Sequence, residues 1–450
     1  MKFYNRKKEI NFFEKLKKAE GKKLIVLYGR RRIGKTTLMK KVFEAEDDFL
    51  YFFVEVIREE TLMRELSASF SKAVYAKWYD LFTDLFNSRK YVIFDEFQNF
   101  AQVNYQIFSA LQHSWDDFNG DCKLVVLGSY VGMMKKLFTD RKLPLFGRND
   151  NIIKLGKFPV NDSIEILKSF GYSVEESLEI YFLVGGVPKY LLAFEECKPL
   201  KEKIYDLFID DFAPFKEETM NILIQEFGSR HKSYFSILKA LSNKNLSINE
   251  LVDFTGIANS SLSKFLLELE EEYEIVKKSS SILSKTKRNS RYMIVDELYR
   301  FYFNIVDRYF SEFEFDKSTT YEKIYDLFPN HYGNCFEDFC RDYILQNPGI
   351  LTFIPEKIGK NWGKVPGTKD KTYDIDLIAY DENNIVFVEC KWTNKKIGVE
   401  EYALLRERSK YVNHSCENVY YLFFSKKGFK TELEKYREEN IIFIDMEDLF

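Results

Sequence analysis

The sequence has few of the residues that build metal clusters and disulfide frameworks. Its 450 residues include four histidines, which lie far apart, and six cysteines, none of them in a C-x-x-C pair. Cysteines that stand alone do not predict a disulfide framework, and so few ligands argue against a structural zinc site. The pattern is typical of a protein whose thiols stay reduced inside the cell.

Long hydrophobic runs and a strong net charge are also absent. No stretch approaches the roughly 18 apolar residues of a membrane span. The first 20 residues alternate charged with aromatic side chains and lack the apolar core of a signal peptide. The net charge of −3 favours no class of partner, and 43 phenylalanines and 29 tyrosines supply cores for about two to four domains. We therefore expect a soluble, cytoplasmic protein with no membrane partner.

A phosphate-binding motif stands between a strand and a helix in residues 22–45. An apolar run, 24–28, precedes "GRRRIGKT" (29–36), which matches G-x-x-x-x-G-K-[ST], and the residues that follow have helical spacing. In such a loop backbone N–H groups surround the β-phosphate, the lysine reaches the β- and γ-phosphates, and the hydroxyl binds Mg²⁺. ATP and Mg²⁺ are therefore the predicted cofactors. The predicted nucleotide-binding residues of this loop are Gly29, Arg30, Arg31, Arg32, Ile33, Gly34, Lys35, Thr36 and Thr37.

Two later strands are expected to complete the nucleotide site. "KYVIFDEFQNF" (90–100) ends its apolar run at Asp95 and Glu96. Asp95 is predicted to hold the Mg²⁺ shell with Thr36, and Glu96 to polarise the attacking water; the alternative is an acidic strand end that faces solvent. Ser129, at the end of the next apolar strand, is predicted to sense the γ-phosphate. Arg148 either neutralises charge in the transition state or pairs with a local carboxylate.

These motifs and "YFLVGGVPKYL" (181–191) together resemble the prokaryotic, mainly archaeal, ATPases of the AAA+/STAND-related superfamily. The resemblance implies an α/β P-loop NTPase core with an ASCE/AAA+-like parallel sheet at 1–160 and a helical lid at 161–230. It also implies that Lys35, Thr36, Asp95 and Glu96 serve ATP and Mg²⁺. Arg148 falls where the family has a conserved arginine, which makes sense in a homo-oligomer if it reaches a neighbour's nucleotide. Ser129-Tyr130 departs from the pair of serines that the family often has.

Residues 231–300 have the pattern of a winged helix. Ser247 and Glu250 form an S-x-x-E capping box, Gly256 makes a turn, and a longer apolar-faced helix follows. Residues 275–296 then alternate like a hairpin with a basic tip. Helix-turn-helix with a basic wing is a DNA-binding layout, although a spacer between proteins has the same pattern and "ELEEEYE" would repel phosphates. The predicted nucleic-acid-binding residues are Lys285, Lys287, Arg288 and Arg291.

The last quarter of the chain, 331–450, follows connecting helices at 301–330 and contains paired acids on adjacent strands. "YDIDLIAY" (373–380) and "NIVFVECKW" (384–392) flank a compact turn. Because residues two apart on a strand point the same way, Glu389 and Lys391 share one face, as do Asp374 and Asp376. Charges on such an apolar strand are costly unless they pair or bind a cation. Carboxylates from both strands suit Mg²⁺ or Mn²⁺.

A helix acid, a strand aspartate and then E-x-K resemble the PD-(D/E)xK nuclease fold. The resemblance implies a C-terminal α/β restriction-endonuclease-like domain at 331–450. It assigns Glu337 as the helix acid, Asp376 and Glu389 as metal ligands, and Lys391 as the catalytic lysine. Two alternatives remain open: Asp376, Glu389 and Lys391 form a structural ion-pair network, or Asp374 replaces Asp376 if the register differs by two residues.

The combined pattern favours an ATP-hydrolysing switch that controls a Mg²⁺-dependent nuclease acting on DNA or RNA, with DNA the favoured partner. Two alternatives come from other classes of function. One is an ATP-dependent regulator that binds DNA through its wing. The other is a protein scaffold with a non-catalytic C-terminal domain.

Overall fold

Apolar runs in the first third of the chain form a parallel sheet. Its strands are β1 (Lys23–Tyr28), β2 (Phe49–Phe53), β3 (Tyr91–Asp95), β4 (Lys123–Gly128) and β5 (Asn151–Lys154). They lie in the order β2-β3-β4-β1-β5, and every neighbouring pair is parallel. Strand order therefore reverses at β1, and the loops after β1 and β3 open at the same edge of the sheet, where α/β folds bind ligands. The parallel α/β sheet predicted for this region is confirmed.

The computed structural model describes residues 3–242, 244–283, 290–368, 371–436 and 440–450. The chain forms two compact units. The first comprises Met1–Ile166, Gly186–Ala193 and Leu267–Glu274, and the second comprises Leu167–Gly185, Phe194–Leu266 and Ile275–Phe450. The five-segment division expected from the sequence is finer than this one and stays a prediction. Among the described residues, no helix is both long and apolar enough to cross a membrane.

Helices cover both faces of the parallel sheet. Successive strand residues face opposite sides, so Val26 and Phe94 join one buried cluster while Ile25 and Ile93 join the other. The helices of the first unit are α1 (Lys7–Lys18), α2 (Lys35–Phe43), α3 (Glu59–Ala68), α4 (Trp78–Ser88), α5 (Phe100–Val103), α6 (Ile107–Asp117), α7 (Val131–Thr139) and the short α10 (Pro188–Leu192). Helix α8 (Val160–Phe170) is shared between the units.

The second unit begins with helices and continues into a hairpin. Its helices up to residue 325 are α9 (Val174–Val184), α11 (Leu200–Phe208), α12 (Glu218–Phe227), α13 (His231–Leu241), α14 (Ile248–Thr255), α15 (Asn259–Leu267), α16 (Glu297–Phe301), α17 (Phe310–Phe315) and α18 (Lys317–Tyr325). Strands β6 (Val276–Ser280) and β7 (Ser290–Ile294) pair antiparallel.

The order α13-α14-α15-β6-β7 is the order expected of a winged helix. The predicted capping box is present, because the Ser247 and Glu250 side chains each bond the other's backbone N–H. Gly256 ends α14 with φ of 66°, a left-handed conformation that glycine adopts without steric cost. Identification as a winged helix stays a prediction, and Lys285, Lys287 and Arg288 lie outside the described residues.

A second, mixed sheet lies in the C-terminal part of the second unit. Its strands are β8 (Lys357–Lys364), β9 (Thr372–Tyr380), β10 (Asn384–Lys391), β11 (Asn418–Ser425) and β12 (Ile441–Asp445), in the order β12-β11-β10-β9-β8. The three strands from β8 to β10 are antiparallel, and those from β10 to β12 are parallel. The predicted hairpin of β9 and β10 is therefore confirmed.

Helices pack on this second sheet through aromatic side chains. Phe336 of the long α19 (Phe328–Gln346) contacts Trp392 and Phe424 with ring centroids 5.0 and 6.5 Å apart. Tyr402 of α20 (Val399–Ser409) lies edge-on to Phe423 at 6.3 Å. The remaining helices are α21 (Thr431–Glu434) and α22 (Met446–Leu449).

Candidate functional site

The phosphate-binding loop is held in a conformation that its glycines permit. A Cβ on Gly29 would lie 2.2 Å from the carbonyl oxygen of Leu155, so only glycine fits there. Gly34 has φ of 90° and directly precedes α2, whose free N–H groups begin at this point. Arg6 also stabilises the loop, because it donates hydrogen bonds to the carbonyls of Ile33 (3.2 Å) and Gly156 (2.6 Å). Arg6 was not predicted, because it lies outside the motif.

Lys35 is buried against the loop that precedes it. Its Nζ donates hydrogen bonds to the carbonyl oxygens of Gly29 at 2.7 Å and Arg30 at 3.1 Å. Ile33 is buried in the core, whereas Arg32 and Thr37 are exposed. The ammonium group therefore lies inside the loop, which is where the predicted contact with phosphate requires it.

Asp95 and Thr36 meet at the edge of the parallel sheet, as expected for a shared Mg²⁺ shell. The Thr36 hydroxyl donates to Asp95 Oδ2 at 2.6 Å. Tyr51, on the neighbouring strand β2, donates to the same oxygen at 2.5 Å. Burial, followed by the hydrogen bond to Asp95, raises the pKa of Tyr51, so the phenol remains a donor. Tyr51 was missed because only the register of β2 against β3 brings it to Asp95.

Replacing Tyr51 with phenylalanine is expected to lower the melting temperature of the nucleotide-free protein. The change removes one of the hydrogen bonds that the buried carboxylate of Asp95 accepts from Thr36, Tyr51 and the Glu96 N–H, and such bonds are worth about 1.5–3 kcal/mol. The melting temperature should fall by about 3–6 °C in a thermal unfolding scan. Tyr79→Phe is the matched control, because that phenol donates to Asp117 on the exposed surface at 2.8 Å. Equal shifts for both variants would contradict the role given to Tyr51.

Glu96 is held by two neighbouring side chains. Its Oε2 accepts hydrogen bonds from Gln98 Nε2 at 2.5 Å and from Ser129 Oγ at 2.6 Å. The backbone of Glu96 has φ of 52°, a left-handed conformation that costs a non-glycine residue about 1–3 kcal/mol and is concentrated at functional sites. Ser129 therefore connects the end of β4 to the predicted catalytic acid. Gln98 was not predicted.

Tyr130 stands where the ATPases that this chain resembles often have the second of two serines. Its ring stacks on Tyr273 at 5.3 Å, and its hydroxyl donates to the carboxylate of Glu272, both within the first unit. Gly132 follows, where a Cβ would lie 2.7 Å from Glu272 Cα. Ser129, which contacts Glu96, is therefore followed directly by a tyrosine that binds the segment Leu267–Glu274.

Arg148 pairs with a carboxylate of its own unit. Its Nε and Nη2 donate to the two oxygens of Asp116 at 3.3 and 3.1 Å, and Nη1 donates to the Phe146 carbonyl at 2.8 Å. This is the local pairing that the sequence left open as an alternative. A role for Arg148 in catalysis stays a prediction.

The acids and the lysine predicted in the C-terminal part lie close together in the second unit. Pairing of Val388 with Leu377 places Asp376 beside Glu389 on adjacent strands. Asp376 Oδ2 accepts a hydrogen bond from the Cys390 N–H at 2.8 Å, whereas Asp374 is exposed to solvent.

Two cations pair with the buried carboxylate of Glu389, whose side chain is 3% exposed. Lys391 forms an ion pair with Oε1, and Arg408 Nη1 of α20 lies 3.8 Å from Oε2. Although burial opposes it, the charge of Glu389 raises the pKa of Lys391, which therefore stays protonated at neutral pH. Arg408 was not predicted, because helix packing alone brings it there.

The carboxylates of this cluster repel one another. Burial raises the pKa of Asp376 well above its usual range, and the charges of Glu337 and Glu389 add to the effect. Burial likewise raises the pKa of Glu337, against the opposing effect of its ion pair with Lys360. In the part of the chain that the structure describes, no lysine or arginine lies within ion-pair distance of Asp376. Of the three acids, Asp376 is therefore the one without an ion pair among the described residues.

The donor set fits a hard divalent cation in type, although its members are not gathered around a common point. Among the described residues Glu389 Oε2 is buried and accepts no hydrogen bond, and Arg408 lies 3.8 Å away, so a closer cation would bind this oxygen more directly. Within the described ranges, however, no three His, Cys, Asp or Glu side chains are already placed to hold a metal ion. Glu337 and Glu389 instead face lysines.

The hairpin residue predicted to bind nucleic acid is engaged with a tryptophan. The Arg291 guanidinium lies 5.3 Å from the ring centroid of Trp362 on β8. Lys277 and Lys278 of β6 are exposed. A nucleic-acid role for Arg291 stays a prediction.

Family comparisons agree with the nucleotide site. Residues 3–194 match the family described as an ATPase domain predominantly from Archaea. This part of the chain is an archaeal-type P-loop ATPase domain. Residues 302–403 of the same chain match a second family, described as archaeal and bacterial proteins of unknown function.

Relatives in Methanocaldococcus jannaschii align with nearly the whole chain or with part of it. An uncharacterized protein of that archaeon is 28% identical over 467 aligned residues, covering 99% of both chains. An uncharacterized ATP-binding protein is 26% identical over 180 residues, or 39% of this chain and 41% of the relative.

A solved structure with the same fold is the Walker-type ATPase of Pyrococcus abyssi. It is 19% identical and superposes with a TM-score of 0.53 over 67% of this chain and 96% of its own. This structure supports the fold, and together with the family match it confirms the predicted P-loop ATPase domain, whereas the winged helix and the nuclease-like domain stay predictions.

Proposed function

We propose that this archaeal-type ATPase is an ATP-hydrolysing switch that controls a divalent-metal-dependent nuclease in its C-terminal part, with DNA as the favoured substrate. One observation carries the nuclease half of the proposal. Glu337, Asp376, Glu389 and Lys391, which come from one helix and two adjacent strands, lie together in a cluster where burial and the neighbouring carboxylates raise the pKa of Asp376. Such clusters of perturbed acids are concentrated at functional sites.

The nucleotide site divides the work of hydrolysis among its residues. Lys35 and the N–H groups of the loop bind the phosphates, and Thr36 with Asp95 would hold Mg²⁺. Glu96 accepts the proton of the attacking water, and it does so from a position fixed by Ser129 and Gln98. A change at the γ-phosphate that moves Glu96 would also move Ser129, and through the adjacent Tyr130 it would reach the segment Leu267–Glu274.

In the nuclease-like cluster, Asp376 and Glu389 would hold the divalent cation with Glu337 beside them. The bound cation supplies an activated water and neutralises charge on the phosphodiester. Lys391, protonated and next to Glu389, orients that water or stabilises the negative charge that develops on phosphorus oxygens. Burial of the carboxylates excludes bulk water and strengthens each of these interactions.

The function is tested by incubating the protein with plasmid DNA, single-stranded DNA and RNA in Mg²⁺ or Mn²⁺, with and without ATP. Metal-dependent cleavage of a nucleic acid is the expected result, and its ATP dependence should vanish in Lys35→Ala. ATP hydrolysis without cleavage of any substrate would contradict the nuclease half. The Lys35 variant separates control by ATP from cleavage itself.

One observation favours a second candidate, an ATP-dependent regulator without nuclease activity. Both Glu337 and Glu389 already pair with lysines, as a structural ion-pair network requires. Such a regulator would bind DNA with a steep dependence on salt, because phosphate contacts release counterions. It would bind no divalent metal at Glu389.

Replacing Asp376 with asparagine is expected to raise the melting temperature of the metal-free protein. The neutral amide still accepts the Cys390 N–H bond but no longer adds a charge to the cluster. Relief of about 1 kcal/mol corresponds to a rise of about 2–4 °C, and stabilisation by Mn²⁺ should be lost. Asp374→Asn on the same strand is exposed and should change neither value. A lower melting temperature for Asp376→Asn would identify the aspartate as a structural residue.

A further inference from the structure

Lys360 lies on the edge strand of the C-terminal sheet, where the pairing with the next strand is irregular. Gly359 pairs with Ile378 but Asn361 pairs with Ile375, so β9 has one residue more than β8 here and Lys360 lies opposite a β-bulge. A bulge turns a side chain away from its regular direction, and bulges are over-represented beside active sites. Lys360, opposite this bulge, forms an ion pair with Glu337 on α19. Glu337 was predicted from the sequence as the helix acid, whereas Lys360 was not predicted.

The backbone of β8 around Lys360 is fixed by the residues that follow β6. The Ile282 N–H donates to the Lys360 carbonyl at 3.0 Å. Ser281 Oγ donates to Asn361 Oδ1 at 2.6 Å and accepts from the Trp362 N–H at 3.3 Å. The otherwise open edge of the sheet is thus covered at Lys360. An ion pair on the surface would need no such support, since its net contribution to stability is about 0–1 kcal/mol.

The cations of the cluster compete with a metal ion for the same oxygens. Lys360 pairs with Glu337, and Lys391 pairs with Glu389. A carboxylate that ligates a divalent cation has less charge to offer an ammonium group, and the two positive charges repel each other. In a nuclease, an ammonium group released beside the cation site can pair with the negatively charged phosphodiester of the substrate.

We propose that Lys360 is a phosphate-binding residue of the C-terminal site, paired with Glu337 in the metal-free protein and turned to the substrate phosphodiester when Glu337 takes part in metal binding. The inference rests on the proposed nuclease function. It assigns Lys360 to the substrate and leaves Lys391 as the lysine of the chemical step.

The test compares Lys360→Met with Lys357→Met, which removes an exposed lysine from the same strand. Mn²⁺ affinity is measured first, by calorimetry on the full chain without nucleic acid or nucleotide. Loss of the competing charge should tighten Mn²⁺ binding by about tenfold in Lys360→Met and leave Lys357→Met unchanged. Lys360→Gln, which keeps a hydrogen-bond donor, provides a second neutral variant should the methionine variant fold poorly.

Nucleic-acid binding is measured next, in Ca²⁺, with a 12-base-pair DNA duplex and a 12-nucleotide RNA as probes. Lys360→Met or Lys360→Gln should weaken binding of one probe by about tenfold, as loss of one charge-assisted bond predicts. The slope of log K against log salt should also fall by about 1. The probe that is affected distinguishes DNA from RNA as the source of the phosphodiester.

Two results would overturn the inference, and they are distinguishable. If the Lys360 variants match Lys357→Met in both assays while wild type cleaves nucleic acid, Lys360 is a structural partner of Glu337 and the nuclease function stands. If wild type binds no Mn²⁺ and cleaves nothing, the nuclease function and the role of Lys360 fall together.

Discussion

Replacing Lys391 with alanine is expected to lower metal-dependent cleavage of nucleic acid by about 10²–10³-fold, the typical effect of removing one group that stabilises transition-state charge. ATP turnover should stay within about twofold of wild type, because the lysine belongs to the second unit and contacts Glu389 there. Both rates are measured on the same preparation, with Mn²⁺ as the cleavage metal.

Lys395→Ala is the matched control for this prediction, because Lys395 is exposed and follows the same strand. It removes an equal charge four residues away without reaching Glu389. If both variants lose cleavage equally, the effect is one of general electrostatic attraction to nucleic acid. If neither variant loses cleavage, Lys391 is not a catalytic residue.

Replacing Glu96 with glutamine is expected to lower ATP turnover by about 10²–10⁴-fold, as loss of a general base does. Binding of ATP should change little, because the phosphate contacts belong to Lys35 and the loop around it. The amide can still accept from Ser129, so the site is expected to keep its shape. Steady-state turnover and the affinity for a fluorescent ATP analogue are the two measurements.

A suitable control for Glu96 is Glu44→Gln, which changes an exposed glutamate of the same unit. It should leave turnover unchanged. Turnover of Glu96→Gln within tenfold of wild type would mean that another group activates the water, and Glu96 would then be a structural acceptor for Ser129 and Gln98.

Much of the nucleotide site could be predicted because its residues are contiguous or end parallel strands. The spacing of the loop alone identifies Lys35 and Thr36, and the carboxyl end of a neighbouring buried strand brings Asp95 to Thr36. Tyr51 and Gln98 could not be found in this way. Each depends on local geometry, the register of β2 in one case and the left-handed turn at Glu96 in the other.

The C-terminal cluster shows the same division between near and distant contacts. Alternation along two strands of one hairpin suffices to place Asp376 beside Glu389 and Lys391. Lys360 lies on the edge strand opposite a bulge in β9, and Arg408 depends on how α20 packs. Sequence periodicity predicts neither contact, because a shift of one residue in register or of one helical turn would move the cation away from the carboxylate. Lys360 and Arg408, which pair with Glu337 and Glu389, were therefore not predicted.

The ion pairs of the cluster have a consequence for how the nuclease would be controlled. Glu337 and Glu389 each hold a lysine, so metal binding must displace interactions that already exist. Metal affinity should accordingly be modest in the resting protein, because part of the binding free energy is used to separate these pairs. Any change that weakens the Lys360 or Lys391 pair would raise the affinity for metal.

The central claim is that Asp376 and Glu389 form a divalent-cation site, and Mn²⁺ binding followed by electron paramagnetic resonance tests it most directly. The titration is carried out without nucleotide, on wild type, Asp376→Asn and Glu389→Gln. Wild type is expected to bind Mn²⁺, and both variants are expected to lose that binding. Equal binding by all three proteins, or binding by none, would contradict it.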